Sequence, residues 1–240
     1  VNLYLLVEGS KTEPQIYEAW IGYVFPCLRR VKDRDEIKHN HCYIFEGSGY
    51  NYTKTRVQAA LEDAVAVGCV DHLILCFDSD YRTFEETFSE IEAELLAAQD
   101  IMQSVSDQFP PISIIIQNRC IETWLLGNTK VVRSSDENLR EHVDFYNVAV
   151  DDPELMLHRV ESRQRAVARY HKEYLKAVFR AAGESYSESS PGIAMNSDYL
   201  EALIARHVET GHLLFFRRLL DLWQHLGSPL FADRPLPPPS

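Results

Sequence analysis

At 240 residues with 45% hydrophobic content, the chain can bury one α/β core plus a helical extension, and no stretch approaches the uninterrupted apolar length of a membrane helix. A formal charge of −12 excludes a protein that coats nucleic acid through global electrostatics, while leaving room for a local basic surface. The five cysteines, at 27, 42, 69, 76 and 120, contain no CxxC pair and several sit in apolar runs, which speaks against a zinc site.

The first apolar run, Leu3 to Val7, reads as a buried parallel strand that opens the chain without a basic leader or signal core, so a cytoplasmic protein is expected. Glu8 and Gly9 follow it. Thr12 and Gln15 stand at capping-box spacing with Pro14 in the first turn, which predicts a helix from Thr12 to about Tyr23. His41 to Phe45 is the second predicted strand, closed by Glu46-Gly47-Ser48-Gly49, and a helix from about Thr53 to Val67 comes next. Leu73 to Phe77 is the third strand and delivers Asp78-Ser79-Asp80. A helix from about Phe84 to Gln103, the break at Pro110-Pro111 and a β-branched strand at Ile112 to Ile116 complete the alternation. Four strands with three intervening helices predict an α/β fold with a mainly parallel sheet flanked by helices.

Beyond Asn118 the strand signal disappears. Ile121 to Leu126, about Pro153 to Ala182, Ser197 to Glu209 and His212 to Leu226 read as helices of a C-terminal extension, with a polar stretch from Gly183 to Pro191. The Pro-rich tail 235–240 reads as extended and flexible. The expected organisation is a catalytic domain over 1–127, the helical extension over 128–234, and that tail.

Acidic residues directly after two parallel strands lie where α/β sheets bind ligands, at the carboxyl ends of their strands, so Glu8, Asp78 and Asp80 are expected on one rim. Carboxylates crowded in a partly desolvated cleft repel unless a cation arrives. Mg²⁺ suits such a site, because it takes one or two carboxylates, keeps several waters and draws its remaining oxygens from phosphates. An extended backbone at Asp78-Ser79-Asp80 would bring both Asp side chains to one side. Glu122, just past the last strand, would add a fourth carboxylate and allow a second ion about 4 Å away. Gly9 permits a sharp turn, and the N–H groups of the following helix offer a seat for an anion. Lys11, Ser10, Asn118 and Arg119 are candidate phosphate contacts.

Leu6-Val7-Glu8-Gly9-Ser10-Lys11-Thr12-Glu13-Pro14 resembles the opening of Toprim domains, especially the RloB-like and OLD-nuclease-like branches. Phe77-Asp78-Ser79-Asp80 looks like the Toprim DxD, and Asn118 to Leu126 is similar to the RloB segment ending in FELWLL. The resemblance covers roughly residues 3–127. It implies a Toprim-like four-stranded sheet and a Mg²⁺-dependent nuclease, with Mn²⁺ able to substitute. Glu8 would be metal ligand or general base, Asp78 and Asp80 would hold the principal ion, and Glu122 would help a second. Tyr170-His171-Lys172 is similar to a Tyr-Lys-Lys element of that family with His in the middle place. Lys172, or else Lys176, is the candidate lysine beside the metal.

From Arg159 to Arg180 seven Lys/Arg face two Glu, a local excess of +5. Arg165, Arg169, Lys172, Lys176 and Arg180 recur at helical spacing, a stripe about 22 Å long that could follow a phosphate backbone. The resemblance implies a role in bacterial defence against phage, an RNA or DNA substrate with tRNA among the RNAs, and a separate ATPase subunit, since the chain has no GxxxxGK[ST] loop. A homo-oligomer is compatible with it, and no membrane partner is expected. Three other readings stay open: a non-catalytic nucleic-acid-binding subunit, a phosphatase with Asp78 as nucleophile, which Arg82 disfavours, and a glycosyltransferase DxD, which leaves Glu8-Gly9 without a role.

Overall fold

The computed structural model describes residues 1–47, 53–106, 108–132, 135–157 and 166–237. Ser48, Gly49, Tyr50 and Arg165 lie outside the described residues. The strands are β1 (Leu3–Val7), β2 (Arg29–Val31), β3 (His41–Glu46), β4 (His72–Asp78) and β5 (Ile112–Gln117), with α1 (Thr12–Val24), α2 (Thr53–Val67) and α3 (Phe84–Met102) between them. They form one all-parallel sheet in the order β2-β3-β1-β4-β5. All five residues of the central β1 are fully buried. Covered on both faces, such a strand reads as an unbroken apolar run without alternation.

The sheet has five strands, not four. β2 has no apolar run to detect, because Arg-Arg-Val forms a three-residue strand at the sheet edge, where charge discourages pairing with other chains. Two compact units make up the chain, residues 1–77 with 83–116, and residues 78–82 with 117–240.

In the first unit a buried Asn2 ties together segments that lead into β1, β3 and β4. Its side-chain amide donates to the carbonyls of Lys38 (2.9 Å) and Cys69 (2.8 Å), and its oxygen accepts from the His41 N–H (3.0 Å). Three backbone groups would lose their partner at once in Asn2→Ala. The expected cost is about 2–3 kcal/mol, read as a lower urea midpoint at unchanged slope. Tyr4, buried in the sheet, donates its hydroxyl to Asp63 of α2 at 2.8 Å, and burial raises its pKa.

The second unit carries α4 (Ile121–Leu125), α5 (Arg140–Phe145), α6 (Ala166–Ala181), α7 (Ser197–Thr210) and α8 (Leu214–His225). Trp124 packs its ring 5.2 Å from that of Phe216 in a core that also buries Phe179, Tyr199 and Trp223. The predicted helix from Pro153 to Ala182 is not continuous. Pro153–Leu155 is one 3-10 turn, Met156 is extended at φ −67 and ψ 118, and α6 is helical from Ala166.

Side-chain demand explains that break. Glu154 accepts the N–H groups of Phe215 (2.9 Å) and Phe216 (3.0 Å), and Asp152 accepts that of Leu213, so both side chains cap the start of α8. Of the tail expected over 235–240, residues 238–240 lie outside the described residues. Leu236 is buried and donates its N–H to Gln224, while Arg217 donates to the Pro237 carbonyl, which docks residues 236 and 237 on α8. Among the described residues no helix is long and apolar enough to cross a membrane.

Candidate active site

In the first unit the ladder between β1 and β4 runs in register from Leu3 opposite His72 to Val7 opposite Cys76. Glu8 extends it by donating its N–H to the Cys76 carbonyl at 3.1 Å, and its side chain is half-buried. The turn after it is held differently from the capping box expected at Thr12. Thr12 is the first helical residue, Lys11 occupies the cap position but its side chain does not cap the helix, and Gln15 donates back to the Lys11 carbonyl. Glu13, buried, accepts the Gly9 N–H, and a Cβ on Gly9 would meet its carboxylate at 2.1 Å. Glu13 therefore shapes the Glu8-Gly9 turn. Gly47 presses on the same turn, since a Cβ there would lie 2.3 Å from the Glu8 carbonyl oxygen. Lys11 and Ser10 are exposed.

In the second unit, Asp78-Ser79-Asp80 does not continue as an extended strand. β4 stops at Asp78, and Asp80 takes φ 52, a left-handed conformation that Asp tolerates better than most residues. Strand alternation therefore does not set the Asp80 side chain.

Ser79, fully buried, organises the turn. Its N–H donates to the Gln117 carbonyl, its hydroxyl donates to Asn118 and accepts the Arg119 N–H, and the Asp80 N–H reaches the Arg119 carbonyl. Arg119 also has positive φ, at 75. Two left-handed non-glycine residues bonded to each other are a strained pair, a feature that concentrates at functional sites. The Arg119 guanidinium donates to the Arg82 carbonyl at 2.6 Å and burial lowers its pKa, so it braces this turn. Asn118 donates to the Glu154 carbonyl at 2.7 Å.

Glu122, in the first turn of α4, is only 5% exposed. It accepts the Tyr186 hydroxyl at 2.9 Å, and the Lys172 ammonium stands 3.9 Å from the same oxygen. Lys172 also pairs with Glu188. Burial alone would lower the Lys172 pKa, but the bond to Glu188 and the negative charges of Glu122 and Glu188 outweigh it and leave the pKa raised, so the lysine stays cationic. Beside them the Cys120 thiol is pushed well up by burial first, then by the charges of Glu122 and Asp78. Asp78 and Glu122 thus both act on one buried thiol, and that thiol stays protonated.

Among the described residues no three His, Cys, Asp or Glu side chains form a group that could hold a metal ion. A magnesium ion needs only one or two carboxylates and completes its shell with water. Asp78 and Glu122 offer hard carboxylate oxygens of the kind such an ion takes.

His171 is not part of this set. It is fully buried, its Nδ1 accepts the Thr123 hydroxyl at 2.7 Å and its Nε2 donates to the Met156 carbonyl at 3.2 Å. Burial drives its pKa down to about 3. Neutral His171 therefore stabilises the fold fully above pH 6.5, its unfolded value, and this contribution is lost as pH falls toward 3. The stability advantage of wild type over His171→Asn is expected to shrink by about 3 kcal/mol between pH 7 and pH 4 in urea melts. Glu154, raised by burial to about 8, acts with the opposite sign: its contribution is present below pH 4.5 and lost as pH rises through 8. Comparing the two proteins cancels it.

The basic stripe on α6 is partly committed. Arg169 pairs with Glu173 and Lys172 faces inward to Glu122 and Glu188, while Lys176 and Arg180 are exposed. Sequence reasoning missed Ser79, Tyr186 and Glu188. A lone tyrosine in the polar run Ser185-Tyr186-Ser187-Glu188 was the available signal for the last two. Comparison with protein-family models, with curated proteins and with solved structures found no match.

Proposed function

We propose that this chain is a Mg²⁺-dependent nuclease that hydrolyses phosphodiester bonds, of the Toprim-like kind its sequence resembles, and that it serves as an effector in bacterial anti-phage defence. The observation that carries the reading is the buried Glu122 carboxylate with the Lys172 ammonium 3.9 Å from it, in the same unit as the Asp78-Ser79-Asp80 turn.

In the mechanism Asp78 and Glu122 would offer negative oxygens to the ion, with Asp80 as a further donor. Bound magnesium would acidify its water and neutralise charge on the scissile phosphate. Lys172, kept protonated by its acidic neighbours, is placed to offset charge on the leaving oxygen. Tyr186 holds Glu122 in position through its hydroxyl. Arg119 and Ser79 keep the turn that presents Asp78.

Incubation of the purified chain with labelled tRNA, single-stranded DNA and duplex DNA tests this. Products are expected with Mg²⁺ or Mn²⁺ and not with EDTA. Their absence with every substrate would favour the second reading, a binding subunit without turnover that acts beside a separate ATPase. One observation favours that alternative: the same oxygen of Glu122 is already engaged by Tyr186 and Lys172.

A further inference from the structure

We propose that the β2 edge of the first unit is a binding site for single-stranded nucleic acid. Two clefts flank this strand and share Arg30, Val31 and Lys32. One, about 500 Å³, adds Arg29, Lys38 and His41; the other, about 490 Å³, adds Tyr43 and Phe45. The register puts Arg29 opposite His41 and Val31 opposite Tyr43, so Arg29, His41 and Tyr43 share one face of the sheet.

Acids and bases are nearly equal in number here, and the site follows from which of them are already engaged. Glu18 and Glu46 are held by Arg30, and Asp63 and Asp35 by Arg34. Asp33 accepts the Asp35 N–H, and Glu36 accepts those of Lys32 and Asp33, so both carboxylates are spent on the 3-10 turn Arg34–Glu36. The charged ends of Arg29, Lys32 and Lys38 have no carboxylate within 4 Å among the described residues. All three are exposed on the open edge of the sheet.

Cations that no acid neutralises are where phosphates gain most, and a half-exposed aromatic ring in the adjoining cleft gives an unpaired base a surface on which to stack. A duplex hides its bases from such a ring. The chemistry therefore selects a single strand, with phosphates along Arg29, Lys32 and Lys38 and a base against Tyr43. This deepens the nuclease reading by naming where substrate would lie, yet it concerns binding alone.

The test is fluorescence anisotropy of a labelled 20-nucleotide single strand, as RNA and as DNA, with the full chain in EDTA so that nothing is cut. The triple variant Arg29→Ala, Lys32→Ala, Lys38→Ala is expected to bind at least tenfold more weakly. The slope of log K against log salt should fall in magnitude by about 2. Tyr43→Leu should weaken binding severalfold and Tyr43→Phe should not. Thermal melts establish that each variant is folded. Unchanged affinity and salt slope in the folded triple variant, or a duplex bound as tightly as the single strand, would overturn the proposal. Cleavage that persists with unweakened binding refutes this cleft and spares the nuclease. Binding through the cleft with no cleavage under any metal does the reverse.

Discussion

Asp78→Asn is expected to lower metal-dependent cleavage by about 10³-fold or more while the protein stays folded. Asp78 ends β4, and the residue after it is locked by four hydrogen bonds of Ser79, so the carboxylate is presented by a rigid turn. Asparagine keeps the size and shape of the side chain and removes only its charge. A metal ligand contributes several kcal/mol to transition-state charge balance, and about 4 kcal/mol is a thousandfold in rate. Single-turnover rates at saturating Mg²⁺ measure the loss, and a melting temperature within a few degrees of wild type assigns it to chemistry. Retention of near-wild-type rate by the folded variant would remove Asp78 from the mechanism. Products that survive both Asp78→Asn and EDTA would belong to a contaminant.

Arg206→Met is expected to cost about 4 kcal/mol and to collapse the second unit. The Arg206 guanidinium is buried and donates to three backbone carbonyls, Gly127 (3.1 Å), Val148 (2.6 Å) and Asp151 (2.6 Å). These carbonyls lie on loops, so one side chain from α7 satisfies three groups at once, two of them through buried bonds. Burial lowers the Arg206 pKa, though an arginine remains charged at any working pH. Methionine fills similar space and leaves the carbonyls without donors, each at about 1–3 kcal/mol before relaxation. Arg206→Lys should recover little, because a single ammonium cannot span three acceptors held by a planar fork. Urea unfolding followed by tryptophan fluorescence suits the test, since Trp124 and Trp223 both lie in this unit.

Several elements were legible residue by residue. The run Leu3 to Val7 matches β1 and Thr53 to Val67 matches α2, because unbroken apolar stretches and a long helical pattern are local signals. β2 was not legible, since three residues at a sheet edge carry no periodicity. The break between Pro153 and α6 was hidden for another reason. Asp152 and Glu154 are spent capping α8, some 60 positions further along, and that demand is invisible to a local reading of a helix-compatible stretch.

The chemistry divides in the same way. Acidic residues after two apolar runs, and a lysine after the Tyr-His pair, were visible as types at positions, and Glu122 stood out at the start of a short helix. Its burial, its bond to Tyr186 and its link to Lys172 were not, because those partners lie 64 and 50 residues away in the chain. His171 looked like a disturbed catalytic element and is a neutral core histidine held by Thr123 and Met156.

The amino-acid sequence by itself determined the longer strand and helix runs and the carboxylates that follow two of the strands, because each depends on neighbours within a few residues. Only the tertiary structure decided which charges are already paired, how the backbone turns at Asp80 and Arg119, and which side-chain cations at the β2 edge form no salt bridge among the described residues. Pairing and burial are relations between distant segments, and they exist only once the chain has closed on itself.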